Sequence, residues 1–272
     1  PWNLIAYSFS NHLKILSITS IIGTYGFNLF CISLFTSPAL FVLRSSKKDI
    51  GVCIFFLIAP FIFYIYGSYY QSKFNKIDKT KNEYKIRAIG SNISLDRFYL
   101  NIDPLSVIED LIKISNPNKS EKIIFVWPEG IIPDISKKEL SEYKWLFIDK
   151  FSENHLLVIG INSQSINNGY KDYFNTLSVY DNKLKLLNFY NKIELVPFGE
   201  FLPFERFLNA VGLKTITNNY QSFTKGNKRN IIEIKKKDFS LKFLPLICYE
   251  IIYSGKLFDD TNFDLIINIS ED

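Results

Sequence analysis

Two stretches without a single charged side chain dominate the first quarter of the chain. Residues 15–43 are 29 uncharged positions in a row and residues 50–70 are 21. A helix rises about 1.5 Å per residue and a hydrocarbon core is about 30 Å thick, so each stretch is long enough to cross a bilayer. The second reads as one membrane span. The first exceeds one crossing, and with Gly23 and Gly26 as interruptions it reads as a span from about residue 25 to 43 preceded by a helix near the interface. Two buried helices of a soluble domain fit less well, because uncharged runs of this length are rare in soluble folds. A cleaved signal sequence also fits less well: the apolar region is too long and occurs twice.

From residue 84 the pattern changes to short β-rich runs alternating with helical stretches. "YKIRAIGSNI" reads as a strand and loop, and "IDPLSVIEDLIKIS" as a helix with Pro104 near its start. "KIIFVWPEG" is a buried strand ending in a turn, "LSEYKWLFIDKFSENH" a helix, and "LLVIGINSQ" another strand. "YFNTLSVYDNKLKLLNFYNK" reads as two strands around an Asp-Asn turn, "NIIEIKKKDFSLKFLPLICYE" as a hairpin with lysines at its tip, and "DLIINIS" as a last strand. The expectation is an α/β layered domain with a mixed sheet, so that residues 1–72 hold membrane helices and residues 73–272 a soluble domain.

Charge adds topology. Up to residue 72 the basic residues are Lys14, Arg44, Lys47 and Lys48, against the single acid Asp49; the rest of the 272-residue chain is nearly balanced. A nucleic-acid partner is not expected of a domain so weakly charged. The loop "RSSKKD" between the spans holds three of those four basic residues, and such loops stay in the cytoplasm, which puts the domain from about residue 73 outside. Cys31 and Cys53 lie within the apolar runs, leaving Cys248 as the one thiol of the external part. It has no partner there for a disulfide, so it is either an inert buried group or kept for chemistry.

Three polar residues follow strand-like runs: Glu129 after "KIIFVW", Lys192 after "LLNFYN" and Cys248 after "LKFLPLI". Strand ends are where side chains converge on a site in α/β folds. Singly, each has an ordinary reading, as a turn acid, a solvated lysine and a small buried hydrophobe. Together they supply a thiol acyl-transfer site. A thiol with a pKa of about 8.5 needs a base, and the oxyanion formed on attack needs a fixed positive charge. The chain has only two histidines, His12 and His155. A pairing of Cys248 with His155 stays open, and no metal-ligand cluster is evident.

The stretches "VWPEG", "YNKIELVPFGEFLPF" and "LICYEII", in that order, resemble the Glu, Lys and Cys motifs of the carbon–nitrogen hydrolase (nitrilase) superfamily. Tyr190 to Glu200 is similar to the form found in its membrane-bound branch, the apolipoprotein N-acyltransferases. "PWNLIAYSF" and "SIIGTYGFN" resemble that family's membrane region, and "RAIGSNI" its first domain strand.

The resemblance implies an α-β-β-α layered domain with Glu129 as general base, Lys192 as oxyanion stabiliser and Cys248 as nucleophile. It implies supporting roles for Glu200, Tyr249 and Glu250. It further implies a multi-pass protein of the bacterial inner membrane, monomeric and without a cofactor, its domain on the periplasmic side. The acyl donor would be a phospholipid and the acceptor the N-terminal amine of a diacylglyceryl-cysteine lipoprotein. Residues alone go only as far as a thiol acyl-transfer enzyme at a membrane. A membrane-tethered amidase or nitrilase-type hydrolase and a non-catalytic interaction protein remain as alternatives. Pro1 at the start and "NISED" at the end read as a central piece of such an enzyme, truncated at both ends.

Overall fold

The computed structural model describes residues 4–43, 46–76, 84–91, 102–132, 135–167, 169–204, 222–236, 239–253, 257 and 262–271. Residues 92–101, residues 205–221 and the expected tip of the lysine-rich hairpin lie outside them. The chain divides into two compact units, residues 1–81 and 82–272.

In the first unit, short helix α1 (Leu13–Leu16) precedes α2 (Thr19–Thr36), which runs through a 3-10 turn into α3 (Leu40–Leu43). Gly23 interrupts α2 with φ 71° and ψ 168°, a conformation open to glycine because it lacks a Cβ. Helix α4 spans Lys47–Asn75, with Ser46 and Asp49 closing a reciprocal cap at its start. Thr19–Leu43 and Lys47–Asn75 are each long and apolar enough to cross a membrane, and only 17% of either is buried within the protein. Phe27, Phe30 and Phe63 pack between them, while Ile21, Leu29, Phe61 and Ile65 face outward. A helix apolar on its outer side as well as its inner one fits a lipid surround.

The second unit is mixed α/β. Five strands form one sheet in the order β1 (Lys85–Ala88), β2 (Ile123–Val126), β3 (His155–Asn167), β4 (Tyr170–Tyr180), β5 (Leu186–Asn191). The first three are parallel and the last two antiparallel. A three-stranded sheet follows, β6 (Ile232–Lys236), β7 (Phe239–Ile247) and β8 (Leu265–Ile269), with β7 central. Side chains alternate across β2 and β3. Ile123, Phe125, Leu157 and Ile159 pack against helix α5 (Pro104–Ser115) and the short helix α6 (Lys144–Ile148). Ile124, Leu156 and Val158 pack on Phe243, Ile247, Ile267 and Ile269 of the other sheet. The period of two in strand side chains thus builds two cores from one sheet. Among the described residues the layers run helix, sheet, sheet.

Helix α5 starts where expected: Asp103 accepts from the Leu105 amide and Pro104 occupies the first turn. "LSEYKWLFIDKFSENH" forms less helix than its pattern predicts, a 3-10 turn at Glu139–Tyr143 and then five residues of α6. The chain turns after Ile148, and the rings of Phe147 and Phe151 stack 5.7 Å apart, both buried. Burial of both rings outweighs continuation of the helix.

Candidate active site

Glu129 lies three residues past β2, on a loop wedged between β3 and the end of β8. Its amide donates to the Ser270 carbonyl at 3.3 Å, and the loop rests directly on the bare backbone of Gly160. Lys192 is the residue after β5, its amide held by the Asn175 carbonyl at 2.9 Å. Cys248 follows β7 and opens a 3-10 turn (Cys248–Ile252). Its φ is 51°, the left-handed region that non-glycine residues seldom occupy. This abrupt change of direction takes the thiol out of the sheet, leaving it half-buried. Three strand ends from two sheets therefore deliver a carboxylate, an ammonium and a thiol to one place.

The Lys192 ammonium, almost fully buried, is 3.3 Å from Glu129 Oε1 and 3.0 Å from Glu200. Burial pushes its pKa down, but the two carboxylates outweigh this and hold it above the ordinary lysine value. Glu200 is itself positioned by the Val196 amide, which donates to Oε2 at 2.9 Å. The Asn175 side chain donates to Glu129 Oε1 at 2.6 Å and to Glu200 Oε1 at 2.8 Å, so amide and ammonium share the same two acids. The Cys248 thiol is pushed up to about 11, by burial first and then by the Glu129 charge, with Lys192 and the Tyr249 amide opposing. Glu129 Oε2 is buried and has no hydrogen-bond partner among the described residues. A neutral thiol beside an ammonium is the resting state this favours.

Glu250 plays a different part. Fully buried, its Oε1 accepts from the Tyr190 hydroxyl at 2.7 Å and from the Ile193 and Glu194 amides at 3.0 and 3.1 Å, and Oε2 accepts from the Ile247 amide at 2.9 Å. Arg229 pairs with Oε1 at 2.8 Å. Tyr249 is half-buried, its ring edge-on to Tyr253 at 6.1 Å.

His155 is removed from this chemistry. It is the first residue of β3, whereas Glu129 lies beyond the far end of the parallel neighbour β2. Its Nδ1 accepts from the Ser152 amide and its Nε2 sits 2.9 Å from the Asn118 carbonyl, so both nitrogens are engaged. Among the described residues no group of three or more His, Cys, Asp and Glu is disposed to hold a metal. Asn175 and Arg229 are the site residues the sequence reading passed over.

No family model matches the chain. Three solved structures resemble it at low scores. An NAD+ synthetase from Acinetobacter baumannii has a TM-score of 0.40 and 16% identity, covering 62% of this chain and 30% of that one. A nitrilase-superfamily protein of Saccharomyces cerevisiae has a TM-score of 0.35 and 16% identity, covering 60% and 54%. A CN-hydrolase superfamily protein from Xanthomonas campestris has a TM-score of 0.36 and 14% identity, covering 62% and 60%.

Among curated proteins, the apolipoprotein N-acyltransferase of Brucella suis biovar 1 is 27% identical over 280 residues, 100% of this chain and 51% of the relative. That of Caulobacter vibrioides is 26% identical over 281 residues, again 100% and 51%. That of Rhizobium leguminosarum bv. trifolii is 26% identical over 282 residues, 100% and 52%. The chain spans about half the length of these relatives, and along all of its own length it is similar to apolipoprotein N-acyltransferases.

Proposed function

We propose that the chain carries the thiol acyl-transfer site of an apolipoprotein N-acyltransferase, with membrane helices in residues 1–72 and a carbon–nitrogen hydrolase domain in residues 73–272. The observation that carries the reading is Lys192 held between Glu129 and Glu200 beside the Cys248 thiol. The name shared by full-chain relatives supports it and supplies the substrates.

In this reading the Cys248 sulfur attacks an ester carbonyl of a membrane phospholipid while its proton passes to Glu129. The charge that develops on the carbonyl oxygen is met by the Lys192 ammonium, already in place and desolvated. Collapse expels the lysophospholipid oxygen, which takes the proton from Glu129 and leaves an acyl thioester on Cys248. The α-amine of a diacylglyceryl-cysteine lipoprotein then attacks the thioester, gives a proton to Glu129 and departs as the amide. Cys248 recovers its proton from the same carboxylate. Two apolar helices in the chain suit lipid substrates, because they would hold the site at the bilayer surface, with the basic loop cytoplasmic and the domain periplasmic.

The test is intact-mass analysis of the full-length protein incubated with phospholipid, followed by addition of a diacylglyceryl lipopeptide. An acyl adduct mapped to Cys248 that moves to the lipopeptide amine is expected, and Cys248→Ser should form no adduct. Release of free fatty acid with no amide product would instead make the protein a hydrolase.

A further inference from the structure

Arg229 lies in the charged stretch "KGNKRN", yet its side chain is nine-tenths buried. Among the described residues its Nη2 donates to Glu250 Oε1 at 2.8 Å, Nε to the Tyr190 hydroxyl at 3.2 Å and Nη1 to the Leu257 carbonyl at 3.0 Å. The pairing partner matters most. Glu250 binds Tyr190 on one side of Lys192 and the Ile193 and Glu194 amides on the other, and through Ile247 it also holds the residue before Cys248. One carboxylate thereby grips both flanks of the lysine and the turn that carries the thiol. A buried carboxylate accepting so many bonds needs a compensating charge, and among the described residues Arg229 is its ion-pair partner. The planar fork meets Glu250 and Tyr190 together, which an ammonium on a single stem cannot do.

We propose that Arg229 is a positioning residue for the reaction: by fixing Glu250 it sets the separation between the Lys192 ammonium and the Cys248 thiol. This rests on Lys192 and Cys248 acting as oxyanion cation and nucleophile. Arg229 touches no reacting atom and acts through Glu250. The titratable groups facing Glu250 are Tyr190 and Arg229, and those acting on the thiol are Glu129 and Lys192. Displacing Lys192 from the thiol removes the one charge that favours the thiolate, so the reactivity of Cys248 reports the geometry directly.

The experiment compares full-length wild type, Arg229→Gln and Arg229→Lys. It measures iodoacetamide labelling of the Cys248 peptide by mass spectrometry from about pH 6.5 to 10, beside acyl-enzyme formation from phospholipid. Loss of a buried charge-assisted bond corresponds to about 10–100-fold. Arg229→Gln is expected to lower acylation by that factor at unchanged half-saturating lipid, and to move the labelling profile to higher pH. Arg229→Lys, which keeps the charge but loses the fork, is expected to fall only about fivefold. A folded Arg229→Gln with wild-type labelling and acylation overturns the proposal. If that variant has no cooperative melting transition, Arg229→Lys decides alone, since wild-type behaviour there overturns it equally. Labelling needs no lipid substrate. A wild type that labels at Cys248 but forms no acyl-enzyme therefore refutes the acyltransferase reading while the labelling shift still decides the role of Arg229.

Discussion

A Cβ on Gly160 would stand 2.5 Å from the Cα of Glu129, so the loop carrying this carboxylate lies directly on the bare backbone of β3. The same added atom would also be 2.5 Å from the Pro128 carbonyl and 2.9 Å from Ile269 Cδ1. Two of the three neighbours are backbone, and neither can turn away by changing rotamer.

Gly160→Ala is therefore expected to lift the Glu129 loop rather than merely crowd the core. Overpacking of this kind costs about 1–3 kcal/mol of stability, but displacement of a catalytic group by about 1 Å can cost about 10²-fold in rate. Acyl-enzyme formation should fall far more than the melting temperature of the domain. A variant with a lowered melting temperature and undiminished acylation would show that the loop finds its place without this contact.

Asn175 makes a second, electrostatic demand. Its amide donates to one oxygen each of Glu129 and Glu200 at 2.6 and 2.8 Å, beside an ammonium that neutralises only one of the two acids. Asn175→Leu removes a donor shared by two charged acceptors, a loss of about 1.5–3 kcal/mol per bond, and acylation should drop by about 10–100-fold. Asn175→Asp should be worse at neutral pH, since it sets a third carboxylate among two. Its activity should recover partly as pH falls and the new acid takes up a proton, a recovery that wild type lacks. Acylation rates from about pH 5 to 8 check the sign, and parallel profiles for the aspartate variant and wild type would remove Asn175 from the electrostatics of the site.

The contrast between these residues and the first three shows what the sequence makes legible. Glu129, Lys192 and Cys248 each follow an apolar run, so strand ends betray them before any partner is known. Asn175 sits inside a strand among other polar residues, and its partners are 46 and 25 positions away. Only the pairing of Thr176 with Asn191 brings Asn175 level with Lys192. Arg229 is hidden by its neighbours, because a lysine-rich loop gives no sign that one charge turns inward to a carboxylate 21 residues on. The layered α/β arrangement was readable from alternation between β-rich and helical segments. The full length of the β3–β4 ladder was not: the strand reading stops at Gln164, whereas backbone pairing carries β3 on through Ser165, Ile166 and Asn167 opposite Asp172, Lys171 and Tyr170.

The roles of Glu129 and Lys192 separate by pH. The thiol stands at about 11, raised first by burial and then by the Glu129 charge. Glu129→Gln removes both that charge and the proton acceptor. Acyl-enzyme formation at neutral pH should fall by about 10²–10⁴-fold, the usual worth of a general base. With the neighbouring anion gone the thiol pKa moves down toward the ordinary value of about 8.5, although burial keeps it above that. Raising the pH therefore restores rate, by about tenfold per unit while the thiol remains mostly protonated. Lys192→Ala has the opposite sign. It removes the one charge that lowers the thiol pKa, so thiolate becomes scarcer, and the oxyanion loses its cation as well, a loss of about 10²–10³-fold by comparison with other oxyanion donors. Alkali should rescue this variant little below about pH 9.5, because deprotonating the thiol does nothing for the charge on the carbonyl oxygen. Single-turnover acylation of both variants and wild type, measured across about pH 6 to 10 in one detergent, reads both effects. Rescue of the lysine variant without rescue of the glutamine variant would mean that Glu129 is not the base and that the cation serves chiefly to ionise the thiol.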